Sequence, residues 1–335
     1  MSNAGLPPRR IAAYDLRPTT QARPPRRRTV RMGPPPLSLL HARLIALLVL
    51  ASGGLAAAGI FFPYTVGAVP SSHHLSQIFL HGVPAGLWLL GGLVMFGPSG
   101  AAVRCGNALA AGATLVTTGL TIVTVSELIP GDASLGVAFW LEVGANALAL
   151  VAAVIGFLVL RRASGAGGFG GLRPVALAVT VLAGAAVVVG YVPDWVAVTV
   201  RYDKGSTHQR QTLPLSSHFA ASWEIVVGHV VVLLGLAVAP VIASQWERLR
   251  PAGSLMAGAA LAIVAYLAEP IIEIITPLGQ FTAAERKKLA GAGLTYYVHL
   301  RVWCFVLAAG AAALLVLGLI QLLRHGPDPD DLTVR

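Results

Sequence analysis

The sequence predicts an all-α polytopic membrane protein whose eight transmembrane helices form two tandem four-helix bundles. Charged residues make up 11% of the 335-residue chain and hydrophobic residues 56%, against roughly 25% and 45–50% in soluble domains. The mean hydropathy is +0.74. Apolar runs of about 20 residues, the length a helix needs to cross hydrocarbon, recur along the chain, without the alternation over about ten residues of a membrane β-strand. The chain also repeats itself: SSHHLSQIFLHGVPAGLWLLGG from Ser71 and SSHFAASWEIVVGHVVVLLG from Ser216 both run from Ser-Ser-His through an inner histidine to Leu-Leu-Gly.

Residues 1–43 form a basic, proline-rich tail carrying Arg9, Arg10, Arg17, Arg23, Arg26, Arg27, Arg28 and Arg31. Such a composition cannot bury a core, so the tail is expected to be disordered and cytoplasmic. It carries much of the net charge of +10, which therefore reads as a topology signal or an anionic-lipid contact and not as a nucleic-acid surface. The tail is also too long and too basic for the start of a plain signal peptide.

The first membrane bundle covers residues 44–160, with spans Leu44–Phe62, Leu75–Phe96, Ala108–Ile129 and Leu135–Leu160. A Gly-rich stretch, 161–174, reads as a flexible cytoplasmic linker. The second bundle covers 175–323, with spans Val175–Val192, Phe219–Ser244, Ser254–Ile275 and Thr295–Leu323; 324–335 is a cytoplasmic tail. Gly59 to Tyr64 resembles Gly190 to Trp195, and Glu127 with Pro130 resembles Glu273 with Pro277. The halves thus correspond span for span, and an even number of spans per half makes the repeat parallel, with its axis along the membrane normal. Basic residues favour the side holding both termini, the cytoplasm of a cell with the chain in its inner membrane. Cys105 is expected in a cytoplasmic turn and Cys304 in the last span, so no external disulfide links them.

Ionisable residues inside hydrocarbon cost a few kcal/mol each and need a partner or a task. His73, His74 and His218 stand at outer mouths, with Ser72 and Ser217 as candidate helix caps. His81 lies on the face of His74, about 10 Å deeper, and His229 on the face of His218, with Glu224 between. Glu142 lies in span four and His299 and Arg301 in span eight. Glu127, Glu269 and Glu273 gather near the outer ends of spans three and seven. Imidazoles that face carboxylates suit a metal site, and His74, His81, Glu142, His218, Glu224 and His299 are the candidate ligands, with copper or zinc as the ion. They also suit haem, with His229 and His299 as axial candidates and Arg301 for a propionate, or a metal-free proton or substrate relay. Each histidine and glutamate could instead serve as an inter-helix hydrogen bond or an interfacial group. Among the motifs sought, no H-E-x-x-H, nucleotide loop or serine elbow is present, which argues against hydrolytic and ATP-driven chemistry.

The run Leu80-His81-Gly82-Val83-Pro84-Ala85-Gly86-Leu87-Trp88-Leu89-Leu90-Gly91-Gly92 resembles a helix of the copper resistance D family of bacterial membrane proteins. The resemblance implies copper uptake across the inner membrane, with His81 as a ligand and Trp88, Gly91 and Gly92 as packing positions. The duplicated plan with outer histidines is similar to haem A synthase, which would give His81, His229 and His299 to haem. That family's paired external cysteines and Glu-x-x-x-His spacing are missing, and Glu142 replaces its fourth histidine. The expected function is thus metal handling, copper foremost, with a haem enzyme or a metal-free permease or complex subunit as alternatives. The expected partners are the bilayer, other membrane subunits or an extracytoplasmic metal carrier.

Overall fold

The computed structural model describes residues 39–66, 70–73, 75–128, 134–163, 174–204, 207–214, 222–245, 249–275, 287–288 and 291–323. Residues 1–38 of the basic tail, most of the Gly-rich linker and the residues after 323 lie outside this set; the last five residues of the expected tail, 39–43, belong to the first helix. Among the described residues eight long helices dominate: α1 Leu39–Gly59, α2 Leu75–Met95, α3 Gly100–Leu128, α4 Val137–Ala163, α5 Pro174–Tyr191, α6 Trp223–Gln245, α7 Leu249–Ile275 and α8 Val302–Leu323. Seven are long and apolar enough to cross a membrane, and α5 is apolar but shorter. Their exposed residues include Leu44, Leu93, Leu182, Leu234 and Phe305, faces that lipid covers at no cost. The chain is a polytopic membrane protein.

Most helix limits follow local chemistry. Pro63 lies beyond the end of α1, where it cannot continue the helix. Ser99 caps α3 by accepting a hydrogen bond from the Ala102 amide at 3.1 Å. That cap starts α3 before the expected Ala108 and draws Cys105 into helix, so Cys105 is not in a turn.

The α1 to α4 helices close a ring in which α1 and α3 each pack on α2 and α4. In the second half α5 and α7 each pack on α6 and α8. The halves meet where α3 lies against α7 and α6, and α2 against α7. Two glycines set the closeness of the central pair. A Cβ on Gly112 would strike Leu255 O and lie 2.9 Å from Ala259 N; one on Gly258 would strike Leu109 O and lie 3.1 Å from Ala113 N. The offset that relates Glu127 to Glu273 also relates Gly112 to Gly258, Leu109 to Leu255 and Ala113 to Ala259, so each helix presents the same patch to the other. Small residues allow backbones to approach in this way where no hydrophobic force drives helices together.

One feature corrects the all-helical expectation. Strands β1 Val196–Lys204, β2 Thr207–Pro214 and β3 Leu294–Leu300 form an antiparallel sheet of order β2-β1-β3. Helix α8 therefore starts at Val302, not Thr295. Thr295 to Val298 are β-branched and aromatic, types that suit a pleated surface, and they pair with β1, which has Val and Thr at alternate positions. The first half has a small counterpart of this pairing. Residues after α1 meet those before α4 through a Thr65–Leu135 bridge, with Val66 N donating to Ser134 O at 2.9 Å and Gly136 N to Tyr64 O at 2.6 Å.

Candidate functional site

The Thr65–Leu135 bridge holds Tyr64 over the end of the first ring where α1 stops and α4 begins, and there it meets His81. The phenol oxygen lies 3.0 Å from His81 Nδ1. One turn earlier on α2, Gln77 Oε1 lies 3.2 Å from His81 Nε2, and Gln77 Nε2 donates to Glu269 Oε1 of α7 at 2.6 Å. Because the Gln77 amide nitrogen faces Glu269, its oxygen accepts, so His81 Nε2 carries hydrogen. In the neutral ring Nδ1 then accepts from Tyr64. The network begins on the loop after α1, passes through α2 and ends on α7 in the other half.

Glu142 of α4 closes the site from across the ring. Its Oε2 lies 3.3 Å from His81 Nδ1, with the side chains 13% and 18% exposed. This is ion-pair distance but off the line of a hydrogen bond, and Oε2 is buried with no hydrogen-bond partner. Two bare acceptors would repel at this separation. The pair is therefore relieved by a proton on the ring or on the carboxyl, and Tyr64, His81 and Glu142 form a place where one proton can shift between neighbours.

The second half repeats the central contact. Tyr191, at the end of α5, lies with its hydroxyl 2.7 Å from His229 Nδ1 of α6. Here the pair is sealed: Tyr191 is 0% and His229 3% exposed. Trp195 and Tyr266 pack on Tyr191 with ring centroids 5.2 and 6.5 Å away, and Trp195 Nε1 donates to Gly190 O at 2.9 Å. Helix α7 serves both clusters, with Tyr266 in this one and Glu269 in the other.

The other expected residues disperse. His299 is not inside a membrane helix; it is exposed on β3 opposite Ala197, because its segment joins the sheet. Arg301 follows that strand, with its amide donating to Trp195 O at 2.7 Å and Nη1 3.6 Å from Asp194 Oδ2. Glu224 lies in the first turn of α6, where a carboxylate complements the helix dipole. His74 and His218, with the side chains of His73, Glu127 and Glu273, lie outside the described residues. Among the described residues no three His, Cys, Asp or Glu gather as a metal site. Sequence reasoning missed Tyr64, Gln77 and Tyr191. Their signals were a tyrosine within two residues of a proline, at or just after the end of each half's first helix, and a glutamine one turn before His81.

Comparison with protein-family models, with curated proteins and with solved structures finds no match to this chain. Fold and site together define a class: a multi-pass membrane protein with a polar site set into one end of its first helical ring.

Proposed function

We propose that this protein is a membrane proton relay, a metal-free permease or complex subunit whose entrance is the Tyr64, Gln77, His81, Glu142 and Glu269 network. The observation that carries the reading is the His81–Glu142 pair, 3.3 Å apart inside an apolar ring with Tyr64 on the same nitrogen. A charged partner costs much in hydrocarbon, and such groups commonly mark ion and proton routes. The relay is read as sitting in the inner membrane with both termini cytoplasmic, which turns the entrance outward. The scaffold is read as a parallel duplication, supported by the reciprocal Gly112 and Gly258 contacts and by the recurring Tyr–His pair.

Metal handling needs a fuller donor set than the described residues bring together. Among the described residues His81 and Glu142 meet without a third ligand, and both His81 nitrogens face protein partners. Haem needs two imidazoles that face one another, whereas His229 Nδ1 faces Tyr191 and His299 lies on a strand. The test is proton flux into vesicles holding the purified full chain, driven by a potassium gradient with valinomycin and read by an internal pH dye. Flux lost in His81→Phe and Glu142→Gln supports the relay. Stoichiometric copper in the same preparation, lost in His81→Ala, would replace it with metal handling; a Soret band would replace it with haem chemistry.

A further inference from the structure

The polar side chains beneath His81 share a seam. Among the described residues, five buried side-chain oxygens have no hydrogen-bond partner: Asn107 Oδ1, Thr121 Oγ1, Glu142 Oε2, Asn146 Oδ1 and Gln321 Oε1. All but Gln321 lie on α3 or α4. In hydrocarbon every such group costs free energy unless something donates to it.

Their placement is ordered. A Cβ on Gly156 would strike Asn107 Oδ1, so Asn107 of α3 lies against Gly156 of α4 near the inner ends. Thr121 lies about four turns further out on α3, and Glu142 about four turns further out on α4, at ~3.6 residues per turn. The helices are antiparallel, so Thr121 comes level with Glu142 on the facing sides. Asn146 follows one turn inward, its Nδ2 donating to Glu142 O at 3.4 Å. The unpartnered oxygens thus run from the His81 site to the inner end, over about 20 Å of helix rise.

The seam is lined by small residues. Between these levels α3 carries Ala111 and Thr118, and α4 carries Ala145, Ala149 and Ala152; Thr114 turns to α2, where its hydroxyl accepts from Trp88 Nε1 at 3.0 Å. The corresponding α7–α8 seam shares this character only at its inner end, where Gln321 of α8 lies against Gly253, the counterpart of Asn107; further out Val264 and Leu267 replace Thr118 and Thr121, and Val302 and Trp303 lie on the facing helix. Among the described residues, unpartnered oxygens along the whole length of the seam are a feature of the first half alone.

We propose that the α3–α4 seam holds a file of water that continues the outer site inward and is the path protons take. Water supplies the donors that Glu142, Asn146, Thr121 and Asn107 lack. A proton leaving the His81–Glu142 pair breaks one N–H or O–H bond and forms one on the next oxygen, and each hop repeats the exchange, so one proton moves and nothing is oxidised. This rests on the relay reading for its use, though not for the presence of water.

Two measurements on the full chain test it. In the vesicle assay Asn107→Leu and Asn146→Leu are each expected to lower flux by at least about tenfold, with the chain still folded, seen as a monodisperse peak in detergent. Ala149→Leu, which fills the seam without touching a polar group, is the second route if either variant fails to fold. X-ray radiolysis with mass spectrometry, which marks side chains beside internal water, is expected to label 107–121 and 142–156 above 253–267. Labelling without wild-type flux would end the relay reading and leave the hydrated seam standing. Wild-type flux with the folded variants unimpaired, or a seam labelled no more than α7, would overturn the proposal.

Discussion

The two halves put the same pair of side chains to different use. In each, a tyrosine from the end of the first helix reaches a histidine of the second at Nδ1, 3.0 Å apart in one half and 2.7 Å in the other. In the first half the histidine also meets Gln77 and Glu142 and keeps some exposure. In the second, rings from Trp195 and Tyr266 close over the tyrosine. Measured from the shared Leu-Leu-Gly, His229 lies about one turn deeper along α6 than His81 along α2, and Tyr191 closes α5 whereas Tyr64 lies on the loop after α1. A one-turn shift keeps the histidine on the same helix face, so the hydrogen bond recurs, beside Gln77 and Glu142 in one half and beside Trp195 and Tyr266 in the other. The difference teaches that residue identity alone does not set the role we propose. The proposed relay rests on what is seen around His81: the Glu142 carboxyl in reach and unpartnered oxygens beyond it on α3 and α4.

The largest expected effect breaks the frame that both halves share. Gly112→Val and Gly258→Val each drive a side chain into a backbone carbonyl of the facing helix. Each is expected to destabilise by about 3 kcal/mol or more, or to abolish folding, seen as loss of a monodisperse peak in detergent. The symmetry of the contact requires similar losses; one tolerated and one lethal glycine would refute the reciprocal packing.

The next tests separate the two pairs. Tyr191→Phe leaves His229 Nδ1 without its hydroxyl in a dry core and should cost ~1–3 kcal/mol, seen as a lower melting temperature. Tyr64→Phe, at a half-buried site, should cost less than ~1 kcal/mol in stability yet slow proton flux. Equal stability losses would mean that both pairs are buried struts. Gln77→Leu removes the link to Glu269 and should lower flux without dissociating the halves, because the glycine contact remains. The smallest effect is expected for Arg301→Ala: its 3.6 Å pair with Asp194 is 41% and 23% exposed, and such pairs contribute about 0–1 kcal/mol.

Much of the scaffold was legible because lipid leaves few options. Apolar runs of span length must be helices; seven of the expected spans fall on helices long and apolar enough to cross, and the fifth falls on α5, which is apolar but shorter. The sheet was not legible: Thr295 to Leu300 is apolar enough to extend a span, and only its pairing with β1, nearly a hundred residues earlier, decides for strand. That one misreading also misplaced His299 and Arg301. His81, Glu142 and Glu269 stood out because charge in hydrocarbon is costly. Tyr64 and Gln77 did not, since a tyrosine at a helix end and a glutamine near an interface are ordinary there. Thr121, Asn146 and Asn107 are ordinary too; their meaning comes from lacking a partner, which only packing reveals.

The central claim is that His81, and not its counterpart His229, carries protons. Flux into vesicles holding the His81→Phe or the His229→Phe chain, matched for the amount of folded protein, tests it most directly. Flux is expected to fall to the level of empty vesicles in His81→Phe and to persist in His229→Phe despite a lowered melting temperature. Flux that survives in His81→Phe, or is lost only in His229→Phe, would contradict it.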